Sequence, residues 1–249
     1  MKKSIFSLAI FAFLLLFTAC KDEDSICTTC PIPGTIKGTL MLVDSTGIAF
    51  DDYSGATVEL EGTSYQTTSN SLGEWEIKNV PIGIYTIRFS KQGFGYERHI
   101  GFQFVGNGSI TLDYPFMLGV APSYNVTLDS LVVTQTNTYI GVTSEYSNPY
   151  YSKTWIVVMS KDSVINPLDS SNFIYRYTGQ SPMPTSSLRE SRFQTGQTYY
   201  AQAFGLGGHY EYPTGFTIQH PSVFYEPVSR QNIYTALGPG SNIVSFVMP

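Results

Sequence analysis

The stretch Thr67–Phe89 constrains this chain more than any other, because it reads as two half-buried strands and the corners that join them. Trp75 and Ile77 alternate with Glu74, Glu76 and Lys78, so one face is apolar and the other charged. Tyr85, Ile87 and Phe89 repeat the period of two after the break Val80-Pro81-Ile82-Gly83. Asn70 to Gly73 supplies turn chemistry ahead of the first strand, and the reading predicts positive φ at Gly73 or Asn70. Such a pair needs a second sheet to cover its apolar face, which predicts an all-β sandwich.

The rest of the chain agrees. Charged residues are 13% and aromatics 14%, with 18 Tyr, 16 Phe, 22 Gly and 14 Pro, a balance that favours strands and turns over helices. The net charge is −5, and no basic cluster exists to neutralise phosphates, so nucleic acid is not expected as a partner.

Lys2-Lys3, the 13-residue run Ile5–Phe17 and Thr18-Ala19-Cys20 read as a secretion leader. As a helix the run is ~20 Å long, short of a ~30 Å hydrocarbon core. Phe17-Thr18-Ala19-Cys20 resembles a bacterial lipobox, with Phe17 where Leu is usual. The resemblance implies cleavage after residue 19, acylation of Cys20 and an outer-membrane lipoprotein held at the membrane by that lipid. Lys21-Asp22-Glu23-Asp24 resembles the surface-export signal of lipoproteins in one group of Gram-negative bacteria; read from composition alone it is a solvated linker. Cys27 and Cys30 lack the βαβ setting of a redox motif and the further ligands of a zinc site, which leaves a small disulfide or an inert pair on the tether. The tether would hold the folded part away from the bilayer.

From Ile36 onward about seven short strands follow within residues 34–118, including a hairpin signal at Gly106-Asn107-Gly108 between His99–Val105 and Ile110–Leu112. Ile36-x-Gly38, Gly55-Ala56-Thr57-Val58, Leu72-Gly73-Glu74-Trp75, Asn79–Tyr85 and Lys91-Gln92-Gly93-Phe94 resemble, in that order, the carboxypeptidase-regulatory-like (transthyretin-like) domain. That family implies an immunoglobulin-like accessory module with no catalytic residues. Residues 119–249 carry a second set of strands, with Gly119–Pro122 as the joint. There Phe193–Ala203 resembles the fibronectin type III E–F corner, which implies a buried Tyr199 whose hydroxyl bonds backbone upstream. The tail after His220 is expected to add a strand or a cover. The organisation expected is therefore a signal peptide (1–19), a lipidated tether (20–33) and two tandem immunoglobulin-like β-sandwiches (34–118 and 119–249).

Catalytic signals are sparse. The three His, at 99, 209 and 220, fall in no ligand spacing, and there is no G-x-S-x-G or phosphate loop. No metal or cofactor is expected. The pairs Glu59/Glu61 and Glu74/Glu76 sit two apart opposite apolar residues, as on a solvated strand face. Two loops are rich in tyrosine, one with Tyr146, Tyr150 and Tyr151 and one with Tyr210 and Tyr212; their rings suit sugar faces and equally suit capping a sandwich end. Asp-Ser at Ser25, Ser45, Ser130 and Ser163 resembles the O-glycosylation signal of the same bacterial group, and Asp-Ser also opens turns. These residues point to a non-enzymatic surface binding or accessory module, with glycan as the leading ligand. A structural subunit docking a partner protein by an edge strand, and an unrecognised hydrolase, are the alternatives.

Overall fold

A computed structural model of the chain describes residues 32–134, 138–144, 154–169, 171, 175–180, 193–207 and 222–249. The leader and tether, both tyrosine loops and Ser25 lie outside the described residues. The architecture is all-β and sandwich-like, with no α-helix among the described residues and none long and apolar enough to cross a membrane.

The first two sheets enclose one core. Strand β1 (Gly34–Val43) is central in a three-stranded sheet, flanked by antiparallel β4 (Glu74–Val80) and parallel β7 (Ser109–Gly119). The facing sheet has the order β3 (Gln66–Thr68), β2 (Thr57–Leu60), β5 (Gly83–Ser90), β6 (Tyr96–Phe104), all antiparallel. Strands β4 and β5 follow each other in sequence yet lie in different sheets. Their apolar faces therefore meet across the core, with the Trp75 ring edge-on to Phe89 at 5.5 Å and Phe89 stacked on Phe116 at 3.9 Å. Glu74, Glu76 and Lys78 stay outside, as the alternation requires.

Gly73 has φ 79°, the left-handed value expected at Gly73 or Asn70. A Cβ there would stand 2.0 Å from the Leu40 carbonyl oxygen, so sterics add a second reason for glycine. Asn70 shapes the same turn, its Oδ1 accepting the N–H groups of Leu72 at 3.0 Å and Glu74 at 2.9 Å.

The segment Gly106-Asn107-Gly108 does not close a hairpin. Strand β6 pairs with β5, whereas β7 runs parallel to β1 in the other sheet. All three residues have positive φ (69°, 55° and 124°), and the turn carries the chain across the sandwich. There the Asn107 N–H donates to Ile32 and the Gly108 carbonyl accepts from Thr35, which sets β7 beside β1. Glycine and asparagine license a tight turn but do not say which neighbour the next strand takes.

The later strands build differently. The four-stranded sheet has the order β11 (Tyr175–Gln180), β10 (Thr154–Ser160), β12 (Thr198–Leu206), β15 (Leu237–Val247). One face packs on the pair β8 (Val126–Val133) and β9 (Thr138–Ser144), burying Trp155, Val157 and Met159. The other buries Ile156 and Val158 beneath the hairpin β13 (Val223–Glu226) and β14 (Gln231–Tyr234). Both faces of β10 are thus covered, and its apolar run Trp155–Met159 is continuous for that reason. Tyr199 is fully buried and its hydroxyl accepts the Gln194 N–H at 2.8 Å, the corner arrangement expected from the sequence.

Residues after 220 supply both a strand, β15, and a cover, β13–β14. The hairpin reaches back to the first sandwich. The Thr235 hydroxyl accepts from the Tyr96 N–H at 2.7 Å and contacts the Tyr96 carbonyl oxygen at 2.5 Å. Buried Ser222 donates its N–H to Met117 at 2.7 Å and accepts from the Gly119 N–H at 2.9 Å. A Cβ at Gly95 would lie 2.6 Å from Ser222 and from Thr235, so glycine permits this approach. The span Ile32–Pro249 is one compact unit.

Candidate functional site

A change of face on β6 creates the site. Phe102 and Phe104 point into the first core, in register with Tyr85 and Gly83. At Gly101, φ 76°, the register slips by one residue, so that Ile87 pairs with His99 and Phe89 with Glu97. Glu97 and His99 thereby take the inward side, at the open margin where β6 faces the edge strand β7. Tyr96, Arg98 and Ile100 turn outward toward the β13–β14 hairpin.

The result is a cleft of about 330 Å³ whose polar groups are Glu97, Arg98 and His99 and whose aromatic walls are Tyr114, Phe116, Phe224 and Tyr225. Tyr114 and Tyr225 are 49% and 55% exposed, so each offers a ring to anything entering. The walls are braced from within: Tyr114 and His99 each stand edge-on to Phe116, at 5.9 Å. Arg98 lies over the Phe224 ring at 5.5 Å while its guanidinium grips Glu61 through two bonds, at 2.9 and 2.5 Å.

The charges in this cleft are largely quenched. Burial pushes the Glu97 carboxyl up to about 8, against a smaller opposing effect of the Met117 N–H that it accepts at 2.9 Å. The residue as a whole is half-buried, and its carboxyl is enclosed beside the Met117 N–H. Burial also lowers the His99 imidazole, and Glu61 holds the Arg98 charge. The cleft therefore presents an imidazole whose charged form burial disfavours and a paired guanidinium, with the Glu97 carboxyl enclosed beneath them and its charge likewise disfavoured. Glu97 carries the only carboxyl group among the residues that line it.

A second depression, about 730 Å³ and open, lies on the outer face of β1 and β4 with Lys37, Glu74, Glu76, Lys78 and Thr111 around it. Its only aromatic is Trp75, which faces the core and is 3% exposed. Glu76 pairs with Lys78 at 3.1 Å and Glu59 with Arg88 at 3.7 Å, as on a solvated face. Among the described residues no group of three His, Cys, Asp or Glu could hold a metal.

Of the residues singled out in the sequence, Tyr146, Tyr150, Tyr151, Tyr210 and Tyr212 lie outside the described residues, as do Cys20, Lys21–Asp24, Cys27 and Cys30. Ser45 is half-buried in the turn after β1, where the Asp44 carboxylate accepts the Thr46 and Ile48 N–H groups. Ser130 and Ser163 are exposed. The cleft itself has no motif in the sequence. The signal for it was a glycine inside the strand pattern, two residues after a Glu97/His99 pair.

No family model matches the chain, and no curated protein matches it. Among solved structures, part of a type II cohesin–X-dockerin complex from Acetivibrio cellulolyticus matches at 21% identity over 35% of this chain and 58% of that one, with a TM-score of 0.30. A DUF3823 family protein from Bacteroides uniformis matches at 12% identity over 88% of this chain and 100% of that one, TM-score 0.28. A candidate carbohydrate-binding protein from the same species matches at 15% identity over 87% and 100%, TM-score 0.26. The matched part spans little more than half of the cohesin-complex chain.

Proposed function

We propose that the chain is a non-enzymatic surface lipoprotein that binds neutral carbohydrate in the Glu97–Tyr225 cleft. The observation that carries this reading is the exposure of the Tyr114 and Tyr225 rings in a cleft whose ionisable groups are enclosed or paired. Aromatic rings cover the apolar faces of a sugar, while the His99 imidazole and the tyrosine hydroxyls exchange hydrogen bonds with its hydroxyls. The absence of a free charge among the described lining residues suits a neutral ligand. Hydrolysis of a glycosidic bond ordinarily takes two carboxyl groups flanking it, and this cleft has one among its described lining residues. A panel of neutral and uronic-acid oligosaccharides screened against the full chain tests the reading. Neutral ligands should be retained and lost in Tyr114→Ala and Tyr225→Ala at unchanged melting temperature. Binding that survives both substitutions would remove the cleft from the argument.

The location proposed is the outer membrane, cell-surface side, with the lipid on Cys20 as anchor and Lys21–Asp24 as export signal. Cys20→Ala should release the protein or leave it unprocessed. Replacement of Lys21–Asp24 by Ala should keep the lipid and protect the protein from protease added to intact cells. Equal digestion of that variant and the parent would leave those residues as a linker alone.

A further inference from the structure

Four aliphatic side chains stand in solvent at one end of the first sandwich: Ile32 at 62% exposure, Ile82 at 49%, Ile84 at 73% and Val105 at 66%. Three pieces of chain bring them together. The Asn107 N–H donates to the Ile32 carbonyl at 2.7 Å, tying the approach to β1 to the β6–β7 turn. Val80 pairs with Gly34, and Gly83 with Phe104, so the β4–β5 turn lies at the same end. Ile84 pairs with Gln103, which makes Val105, two residues on, its diagonal neighbour on the outer face.

The segments that form this end carry no charge of their own, and Lys37, Lys78 and Arg88 flank them along the chain. Residues 32–36, 79–87 and 100–112 contain no Asp, Glu, Lys or Arg, in a chain of net charge −5. Elsewhere the outer faces carry Glu59, Glu61, Glu74, Glu76, Arg88 and Arg98. An uncharged aliphatic tip on an otherwise charged sandwich marks a surface that something covers.

We infer that this tip seats in the interfacial layer of the bilayer that holds the lipid on Cys20, an inference that rests on the anchoring proposed above. The eleven residues Lys21–Pro31 reach at most ~40 Å, and they join the fold at Ile32, inside the tip. This end of the sandwich is thus the one closest to the anchor along the chain. Its lack of charge spares it the repulsion that an acidic protein meets at an anionic leaflet. The exposed hydrophobic side chains are aliphatic, with half-buried Tyr85 beside them, its hydroxyl on the Pro81 carbonyl. The tip segments hold no arginine of the kind that marks the centre of a protein interface. A seated tip replaces the stand-off that the tether's composition suggested, and it fixes which way the Glu97 cleft faces.

The test uses the full lipidated chain reconstituted into phosphatidylcholine vesicles with and without brominated acyl chains. The native Trp75 and Trp155 are 3% and 2% exposed, so a tryptophan added at Val105 reports as a difference from the parent. Val105→Trp emission should shift to the blue and lose most of its intensity in brominated vesicles. Val228→Trp, at a position 92% exposed in the β13–β14 turn, should do neither. Adding Ile84→Asp to Val105→Trp should restore the emission with an unchanged circular dichroism spectrum. Unquenched Val105→Trp in vesicles that retain the protein overturns the inference, as does equal quenching at Val228 or a blue shift already complete in lipid-free, concentration-dependent oligomers. A chain whose mass shows no acyl group on Cys20 overturns the anchor and this inference together, whereas an acylated chain with an unquenched tip overturns the inference alone.

Discussion

The two halves of the molecule bury their sheets differently. In the first, each sheet hides one face, and Glu74, Glu76 and Lys78 alternate with Trp75 and Ile77 to say which. In the second, the four-stranded sheet is covered on both faces, by β8–β9 and by the β13–β14 hairpin, and Trp155–Met159 is buried without interruption. A one-faced sheet can stand as half of a sandwich. A two-faced sheet needs a third layer, and the hairpin that supplies it also rests on Tyr96 and Ile100 of the first half. The Glu97 cleft opens along that seam, so the site belongs to neither half alone.

The largest effect expected is confined to the first half. Gly73→Val puts a β-branched side chain at φ 79° with its Cβ 2.0 Å from the Leu40 carbonyl oxygen. The backbone must shift, and the loss of stability should be roughly 4 kcal/mol or more, at the extreme of single substitutions. Chemical denaturation measures it; a cost near zero would mean that the β1–β4 approach is looser than its geometry.

Burial on both faces has its own test. Ile156→Ala truncates a fully buried side chain on the hairpin side of β10 and should cost ~3 kcal/mol. Ile84→Ala, on the outer face of the first half and 73% exposed, should change stability by less than ~0.5 kcal/mol. Equal costs at the two positions would erase the distinction between the layers.

That distinction also explains what could be read from the chain without coordinates. Alternation at Trp75, Ile77, Ile87 and Phe89 names the inward side directly, and Tyr199 announces its corner by the residues around it. The run Trp155-Ile156-Val157-Val158-Met159 reads as a strand but has no polar residue to mark an outer face, so the third layer is invisible in it. Strand partners were equally hidden: Gly106-Asn107-Gly108 looks the same whether it joins paired strands or crosses the sandwich. The cleft depends on a one-residue slip at Gly101 and on a hairpin more than a hundred residues away in sequence. Composition and spacing report local geometry, and a seam between distant segments is not local.

The seam should be sensitive to pH. The Glu97 carboxyl is raised from 4.5 to about 8 in the folded protein, first by burial. Between those values the native state holds a proton that the unfolded chain has released. The Glu97 contribution to stability should therefore be largest below about 4.5 and be lost as pH rises through about 8. The slope is at most ~1.4 kcal/mol per pH unit, and solvent on the open side of the cleft reduces it. Glu97→Gln keeps an acceptor for the Met117 N–H and should flatten this part of the profile. A parent and variant with parallel profiles from pH 5 to 8 would show that Glu97 ionises freely.

The smallest effect bears most directly on how the halves are joined. The Thr235 hydroxyl is the acceptor for the Tyr96 N–H and lies within hydrogen-bond distance of the Tyr96 and Ser222 carbonyl oxygens. Thr235→Val keeps the shape and the branching but leaves the Tyr96 N–H without that acceptor, at a cost of ~1 kcal/mol. Because the bond crosses from the hairpin to the first sandwich, its loss weakens the coupling between cores more than either core. The parent should unfold in one calorimetric transition, since Ser222 and Thr235 tie the seam from two sides. Thr235→Val should broaden or split that transition, with the half containing the Tyr199 corner and the half containing Trp75 separating in temperature. Two resolved transitions already in the parent would mean that the halves unfold independently and that the hairpin is a cover for the second sheet alone.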